Sequence, residues 1–152
     1  AHSKPTTSLE GDFTIEGWFY RAVSGNNYFF TIGDSFQSTG IECYIGSSGT
    51  ALIVYSGGAT RISSATLPGV TTGAHLAVVR SGSTVTLYLN GTSGGTWTSS
   101  ATFSGAVYIG AEFYNGSISG SMNGYIDDLR ITKGYARYTG NFTPQRSQWQ
   151  DQ

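Results

Sequence analysis

The chain has 152 residues, with eight Lys or Arg against nine Asp or Glu, a formal net charge of −1, and a charged fraction of only 11%. That length suits one domain able to bury a core of its own. A near-neutral chain without a Lys/Arg cluster excludes a phosphate-tracking nucleic-acid surface and a polybasic membrane patch, and no apolar run is long enough to span a bilayer as a helix.

Aromatic residues at 14% and 22 glycines set among Ser and Thr predict short strands joined by tight turns, not disorder. The opening residues Ala1-His-Ser-Lys-Pro5 carry no signal-peptide core, so the expectation is a mature chain or a module of something longer. Residues 1–8 read as an N-terminal extension. Gly11–Tyr20 is the first strong strand, with Phe13, Ile15 and Phe19 on one side and Thr14, Glu16, Trp18 and Tyr20 on the other. After a turn at 23–27 come strands at Tyr28–Gly33, Ile41–Ile45 and Ala51–Tyr55, and a weaker one at Ala59–Ser63. Cys43, the single cysteine, falls in phase with Ile41 and Ile45 and reads as a buried structural thiol.

The clearest element is His75–Gly91, two strands folded back at Ser81-Gly-Ser83. Val85, Leu87 and Leu89 alternate with Thr86, Tyr88 and Asn90, and Asn90-Gly91 supplies a turn with positive φ. Beyond it lie a Thr/Ser/Gly stretch containing Trp97, a strand at Ala106–Gly110, and a turn-rich tip at Phe113-Tyr-Asn-Gly116. A last long strand spans Met122–Thr132. Residues 133–144 read as an arm wrapping the domain, and 145–152 as a polar, frayed tail. About ten short strands at this spacing predict an all-β, two-sheet antiparallel sandwich spanning residues 9–144.

Two surfaces are candidates for ligand binding. Tyr44, Tyr88 and Tyr108 each stand between apolar residues in a strand, so all three should face outward, in the phase of Trp18 and Tyr20. Flat aromatic faces beside polar groups such as Glu16, Glu42 and Thr86 suit stacking on the C–H surfaces of sugars. The same residues are also accounted for by strand propensity and cross-strand pairing, or by cover from the arm. The second surface is the loop rim, where Trp97, Phe113 and Tyr114 lie in turn-rich segments. There they either contact a ligand or fold back as lids. Asn90, Asn115 and Asn141 match the N-glycosylation pattern, but the first two are already explained by Asn-Gly turns.

Gly11–Tyr20, His75–Arg80, Leu87–Gly91 and Ile126–Ile131 together resemble, in that order, the concanavalin A-like lectin/glucanase superfamily, and most of all its laminin-G-like jelly-roll branch. The ending Asp128–Pro144 is similar to modules of phage tail-fibre and bacterial adhesin-like surface proteins. The resemblance implies one concave and one convex antiparallel sheet, sugar binding as the commonest non-catalytic role, and a secreted, cell-surface or virion setting. The implied partners are a glycan or polysaccharide and neighbouring domains of a longer chain, with neither nucleic acid nor membrane.

It also implies a structural calcium. Strict alternation puts Asp127 with Tyr125, Leu129 and Ile131 on the core side, where a carboxylate needs a cation or several hydrogen bonds. In laminarinase-like members the matching Asp helps hold calcium, and Glu10 or Asp12 would supply further oxygens. Asp127 could equally accept backbone N–H bonds or be turned outward by a bulge. No catalytic residue is expected. The glucanases' Glu-x-Asp-x-x-Glu strand is absent, with Glu10 and Asp12 its nearest approach, and His2 and His75 are too separated for a metal site. The alternative to sugar recognition is a structural module whose aromatics pack against a neighbouring domain or subunit.

Overall fold

The computed structural model describes residues 5–145. Among these it contains thirteen strands and no helix: β1 (Thr6–Leu9), β2 (Phe13–Arg21), β3 (Asn27–Ile32), β4 (Ile41–Ile45), β5 (Leu52–Ser56), β6 (Ala59–Ser64), β7 (Ala74–Ser81), β8 (Thr84–Leu89), β9 (Thr92–Thr98), β10 (Phe103–Ile109), β11 (Ala111–Tyr114), β12 (Ser117–Ser121) and β13 (Gly124–Lys133). A six-stranded sheet runs β1-β10-β3-β4-β5-β6, a five-stranded sheet runs β13-β2-β7-β8-β9, and β11 pairs only with β12. Every ladder between these strands is antiparallel. The fold is the all-β jelly-roll sandwich anticipated above.

Alternation builds the core. Phe13, Ile15 and Phe19 from β2 meet Ile41, Cys43 and Ile45 from β4 and Val85, Leu87 and Leu89 from β8 in one buried cluster. Cys43 is fully buried, and burial pushes its thiol upward, which keeps it protonated. The strands expected one by one miss four of the thirteen, β1, β9, β11 and β12, with β11 falling partly in the tip expected at 113–116. β9 (Thr-Ser-Gly-Gly-Thr-Trp-Thr) and β12 (Ser-Ile-Ser-Gly-Ser) are made largely of small polar residues, so they show little apolar period to read. β1 is held by pairing with β10, Leu9 opposite Phe103, so the sheet begins at Thr6, inside the extension expected over 1–8. Residues 1–4 of that extension, and all of the 145–152 tail except Gln145, lie outside the described residues.

Of the five register shifts between paired strands, two bear on the readings above. One between Tyr28 and Phe30 lets both Phe29 and Phe30 be buried, which strict alternation forbids. The other lies in β13 between Asp127 and Arg130, where Asp128 takes φ +54°. It resets the period so that Ile126, Leu129 and Ile131 pack on the core, while Asp127 is exposed and Tyr125 is 65% exposed.

One end of the sandwich is closed by Arg80, which is 1% exposed. Its Nε donates to Gly11 O (2.7 Å) and its Nη1 to Ala101 O (2.6 Å), with longer bonds to Ser99 O and Leu9 O at 3.3 Å. The guanidinium lies over the rings of Phe13 and Phe103, 5.0 and 5.3 Å from their centroids. Arg80→Met keeps the apolar stem but strands those carbonyls, so it should destabilise the fold by about 3 kcal/mol. A urea titration followed by tryptophan fluorescence measures it. An unchanged midpoint would mean that water satisfies the carbonyls equally well.

Candidate functional site

The outer face of the six-stranded sheet carries a continuous set of aromatic rings. On β4, Ile41, Cys43 and Ile45 point inward, which turns Glu42 and Tyr44 outward. Register then sets Tyr28 beside Tyr44, and Thr31 between Tyr108 and Glu42, with Tyr55 on the far side of Glu42. Tyr28 and Tyr44 stack (5.0 Å, 8°), Tyr44 meets Tyr55 edge-on (6.2 Å), and Tyr55 approaches Tyr114 at 6.1 Å. Tyr114 meets Phe36 edge-on (5.4 Å), and Phe113 stacks on Tyr108 (4.9 Å, 4°). Tyr28, Tyr44, Tyr55, Tyr108, Phe113 and Tyr114 are all half-buried, and Phe36 is 43% exposed, so part of each ring faces solvent.

The β11–β12 hairpin folds onto this face. Asn115 and Gly116 take φ +49° and +83°, as an Asn-Gly turn requires. Asp34 pins the turn, its Oδ1 accepting from Asn115 N and its Oδ2 from Gly116 N, both at 2.8 Å. Ser35 N and Oγ donate to Phe113 O, and Thr31 Oγ1 donates to Ala111 O at 2.9 Å. Gly120 sits against the Tyr28 ring so closely that a Cβ there would collide with it.

Under the hairpin lies a pair of carboxyl groups. Glu42 is 1% exposed and hydrogen-bonds to Glu112, while Ser119 Oγ donates to Glu112 Oε1 at 2.6 Å. Burial first, then the charge and hydrogen bond of Glu112, push Glu42 up to about 9 against the weaker pull of Ser35 and Thr31. Glu42 therefore holds its proton at neutral pH and donates it within the pair. Burial and the same acidic neighbours push Tyr28 up to about 12, so its hydroxyl also remains neutral.

Of the residues singled out from sequence, the structure brings Tyr44, Tyr108, Phe113 and Tyr114 onto this one face. The strand and rim candidates prove to be one surface because the hairpin folds back. Tyr88 is not part of it. It lies on the other sheet, 3% exposed, beneath Phe142 (5.3 Å) and Tyr138 (6.4 Å) of residues 134–144. Trp97 is not on a loop either. It stands opposite Val85 in β9, faces the core beside Phe103 (5.9 Å), and is capped by Arg61 (5.4 Å).

The three proposed calcium ligands do not converge. The β13 bulge turns Asp127 outward opposite Trp18, while Asp12 sits beside Gly134 at the far end of that strand, roughly 20 Å away at 3.3 Å per residue. Asp12 Oδ1 accepts from Gly82 N (2.8 Å) and caps the β7–β8 turn, and Glu10 is exposed. Among the described residues no group of three His, Cys, Asp or Glu side chains is placed to hold a metal.

Tyr28, Tyr55, Phe36 and Glu112 were missed. Tyr55 was readable, since Leu52 and Val54 face inward and leave it outward. Tyr28 was hidden by the bulge that follows it, and Glu112 by a hairpin whose second strand has little apolar period.

The Laminin_G_3 model, of the Concanavalin A-like lectin/glucanases superfamily, matches residues 1–137, and the chain belongs to that family. Among solved structures it is similar to the CBM40 of a Ruminococcus gnavus IT-sialidase, bound to α2,3-sialyllactose, with TM-score 0.66 and 13% identity over 82% of this chain and 76% of that one. It is similar to the carbohydrate-binding module CBM66 of Bacillus subtilis, with TM-score 0.60 and 14% identity over 87% and 84% of the two chains. It is also similar to the alginate lyase AlgAT5 of polysaccharide lyase family 7, with TM-score 0.56 and 20% identity over 86% of this chain and 63% of the lyase. These likenesses establish the fold, which carries both binding modules and enzymes. No curated protein matches the chain.

The carboxyl pair gives stability a distinct pH dependence. Between the ordinary carboxylate range and about 9 the unfolded chain ionises Glu42 while the folded protein keeps its proton, so stability from this group falls as pH rises through that window. Glu42→Gln, which keeps a neutral donor, should melt several degrees above the parent at pH 8, each 1 kcal/mol being worth about 2–4 °C in a chain of this size. The gap should close toward pH 5. Parallel melting curves across that range would refute the shared proton.

Proposed function

We propose that this domain is a non-catalytic carbohydrate-binding module that presents the tyrosine face of its six-stranded sheet to a glycan, as part of a longer secreted, cell-surface or virion protein. One observation carries the reading: seven rings, none of them fully buried, lie on one face around the buried Glu42 and its half-buried neighbour Glu112. Rings held in place by cross-strand contacts and by the pinned hairpin lose little entropy on stacking against a sugar. Their hydroxyls, with Ser119 and Glu112, supply the polar groups that fix orientation. Carbohydrate-binding modules among the similar structures favour the same reading.

The carboxyl pair suits binding better than hydrolysis. Glycosidase carboxyls stand about 5–5.5 Å apart in retaining enzymes and roughly 6.5–9.5 Å in inverting ones, with the sugar between them. Glu42 and Glu112 instead bond directly to each other.

A glycan array followed by calorimetry on the strongest hit tests the proposal. Tyr44→Ala should weaken binding about five- to thirtyfold, the loss of one stacked ring worth about 1–2 kcal/mol. Tyr125→Ala, on the outer face of the other sheet, should leave it unchanged. Trp97→Ala should cost about 2 kcal/mol of stability by opening the core edge while affinity at low temperature survives. Binding lost in Tyr125→Ala but kept in Tyr44→Ala would move the site to the other sheet. A concentration-dependent dimer that buries Tyr44, without any glycan signal, would make the face an assembly surface.

A further inference from the structure

We propose that the tyrosine face selects against carboxylated sugars, taking glycans that are uncharged or bear amines. The inference rests on the binding reading above and concerns what that face would admit. Its basis is where charge lies. The strands that frame the face, β3, β4, β5, β10, β11 and β12, contain no Lys or Arg. The charged side chains on them are Glu42 and Glu112, and Asp34 stands at the hairpin tip.

The basic residues among those described are committed elsewhere. Arg130 and Arg137 pair with Glu16 on the outer face of the other sheet (3.3 and 3.6 Å), and Lys133 ends β13 on that same sheet. Arg80 is buried at the end of the sandwich, and Arg21 donates to Pro68 O (2.6 and 3.0 Å). Arg61, on the adjoining strand β6, bonds to Ser56 O (2.9 Å) and turns its guanidinium over Trp97 at the sandwich edge.

A bound carboxylate needs a cation or a convergent set of donors, and Arg is the usual choice because its fork matches the carboxylate. Here the hydroxyls of the face are flanked by carboxyl groups. Glu112, the acid beside Glu42, is half-buried, where solvent screens a charge poorly. A second anion brought beside it is repelled, whereas a hydroxyl or an ammonium group is accepted. The sialyllactose seen with the Ruminococcus module is an anionic ligand, and by this reasoning the present face would refuse its like.

The test compares hexasaccharides of one backbone that differ in charge: fully acetylated chitohexaose, the fully deacetylated hexamer, and cellohexaose against an oligoglucuronate of equal length, by calorimetry at pH 6 in low salt. At least one acetylated or neutral hexamer should bind, the deacetylated hexamer at least about tenfold tighter than the oligoglucuronate, and the gap should narrow in 0.5 M NaCl. Glu112→Gln should narrow it too. Because that variant could disturb the hairpin, the salt series on the unmodified protein stands as an independent reading. Oligoglucuronate binding as tight as the rest, lost in Tyr44→Ala, would overturn the charge selection while keeping the sugar site. Failure of every hexamer, with a glycan-array hit confined to sialylated or uronic structures, would also overturn it. Silence toward the hexamers and the whole array would overturn the carbohydrate reading itself, and the selection with it.

Discussion

Each sheet of the sandwich carries one buried carboxyl group on its outer face, and each group is covered by a later stretch of chain. A carboxyl on an outward-facing position cannot be buried by the sheet, so something must fold over it and supply its partners. On the six-stranded sheet Glu42 is covered by the β11–β12 hairpin. On the five-stranded sheet Glu16, 4% exposed, is covered by residues 134–144, from which Tyr138 OH donates to its Oε1 at 2.6 Å. The covering segments depend on these two points of attachment, and the exposed surface of the molecule depends on the covering segments.

The two carboxyls are driven in opposite directions by what covers them. Burial raises Glu16, but hydrogen bonds from His75 and Tyr138 and the charge of Arg130 outweigh it, and the group ends below its ordinary range. Glu16 therefore contributes stability above that range and loses it as pH falls. Glu42 meets another acid in place of a base, keeps its proton, and contributes less as pH rises. Replacing cationic neighbours by an acidic one turns an ion-paired anchor into a proton-sharing one. The first kind closes a surface firmly, and Tyr138 and Phe142, stacked at 3.5 Å, seal Tyr88 beneath them. The second kind sits among rings that are still partly open.

How much was legible in the sequence follows from how locally each feature is encoded. Strand β8 and its turn were plain because Val85, Leu87 and Leu89 alternate and Asn90-Gly91 closes the strand. The outward direction of Tyr44 and Tyr108 followed from the same period. Direction alone does not say which sheet a strand joins, and for this reason Tyr88, in the same local setting, was grouped with them. Only the strand order separates β8 from β4 and β10. Asp127 failed differently: a single bulge at Asp128 shifts the phase by one, and phase was the whole ground for placing it inside.

The convergence of the two candidate surfaces is the feature no local pattern could have shown. Phe113 and Tyr114 read as a rim because Asn115-Gly116 reads as a tip, and Ser117–Ser121 has too little apolar period to announce a returning strand. Once Asp34 holds that tip and Thr31 holds its base, the hairpin lies across the strands it would otherwise extend beyond. An outward row of tyrosines then becomes a walled face, and an acid on β11 is carried to an acid on β4. The hairpin brings Glu112 to Glu42, and burial and that second acid are what raise Glu42. With the hairpin, the face gains a wall and a proton held between two acids together, so its shape and its electrostatic character have a single cause.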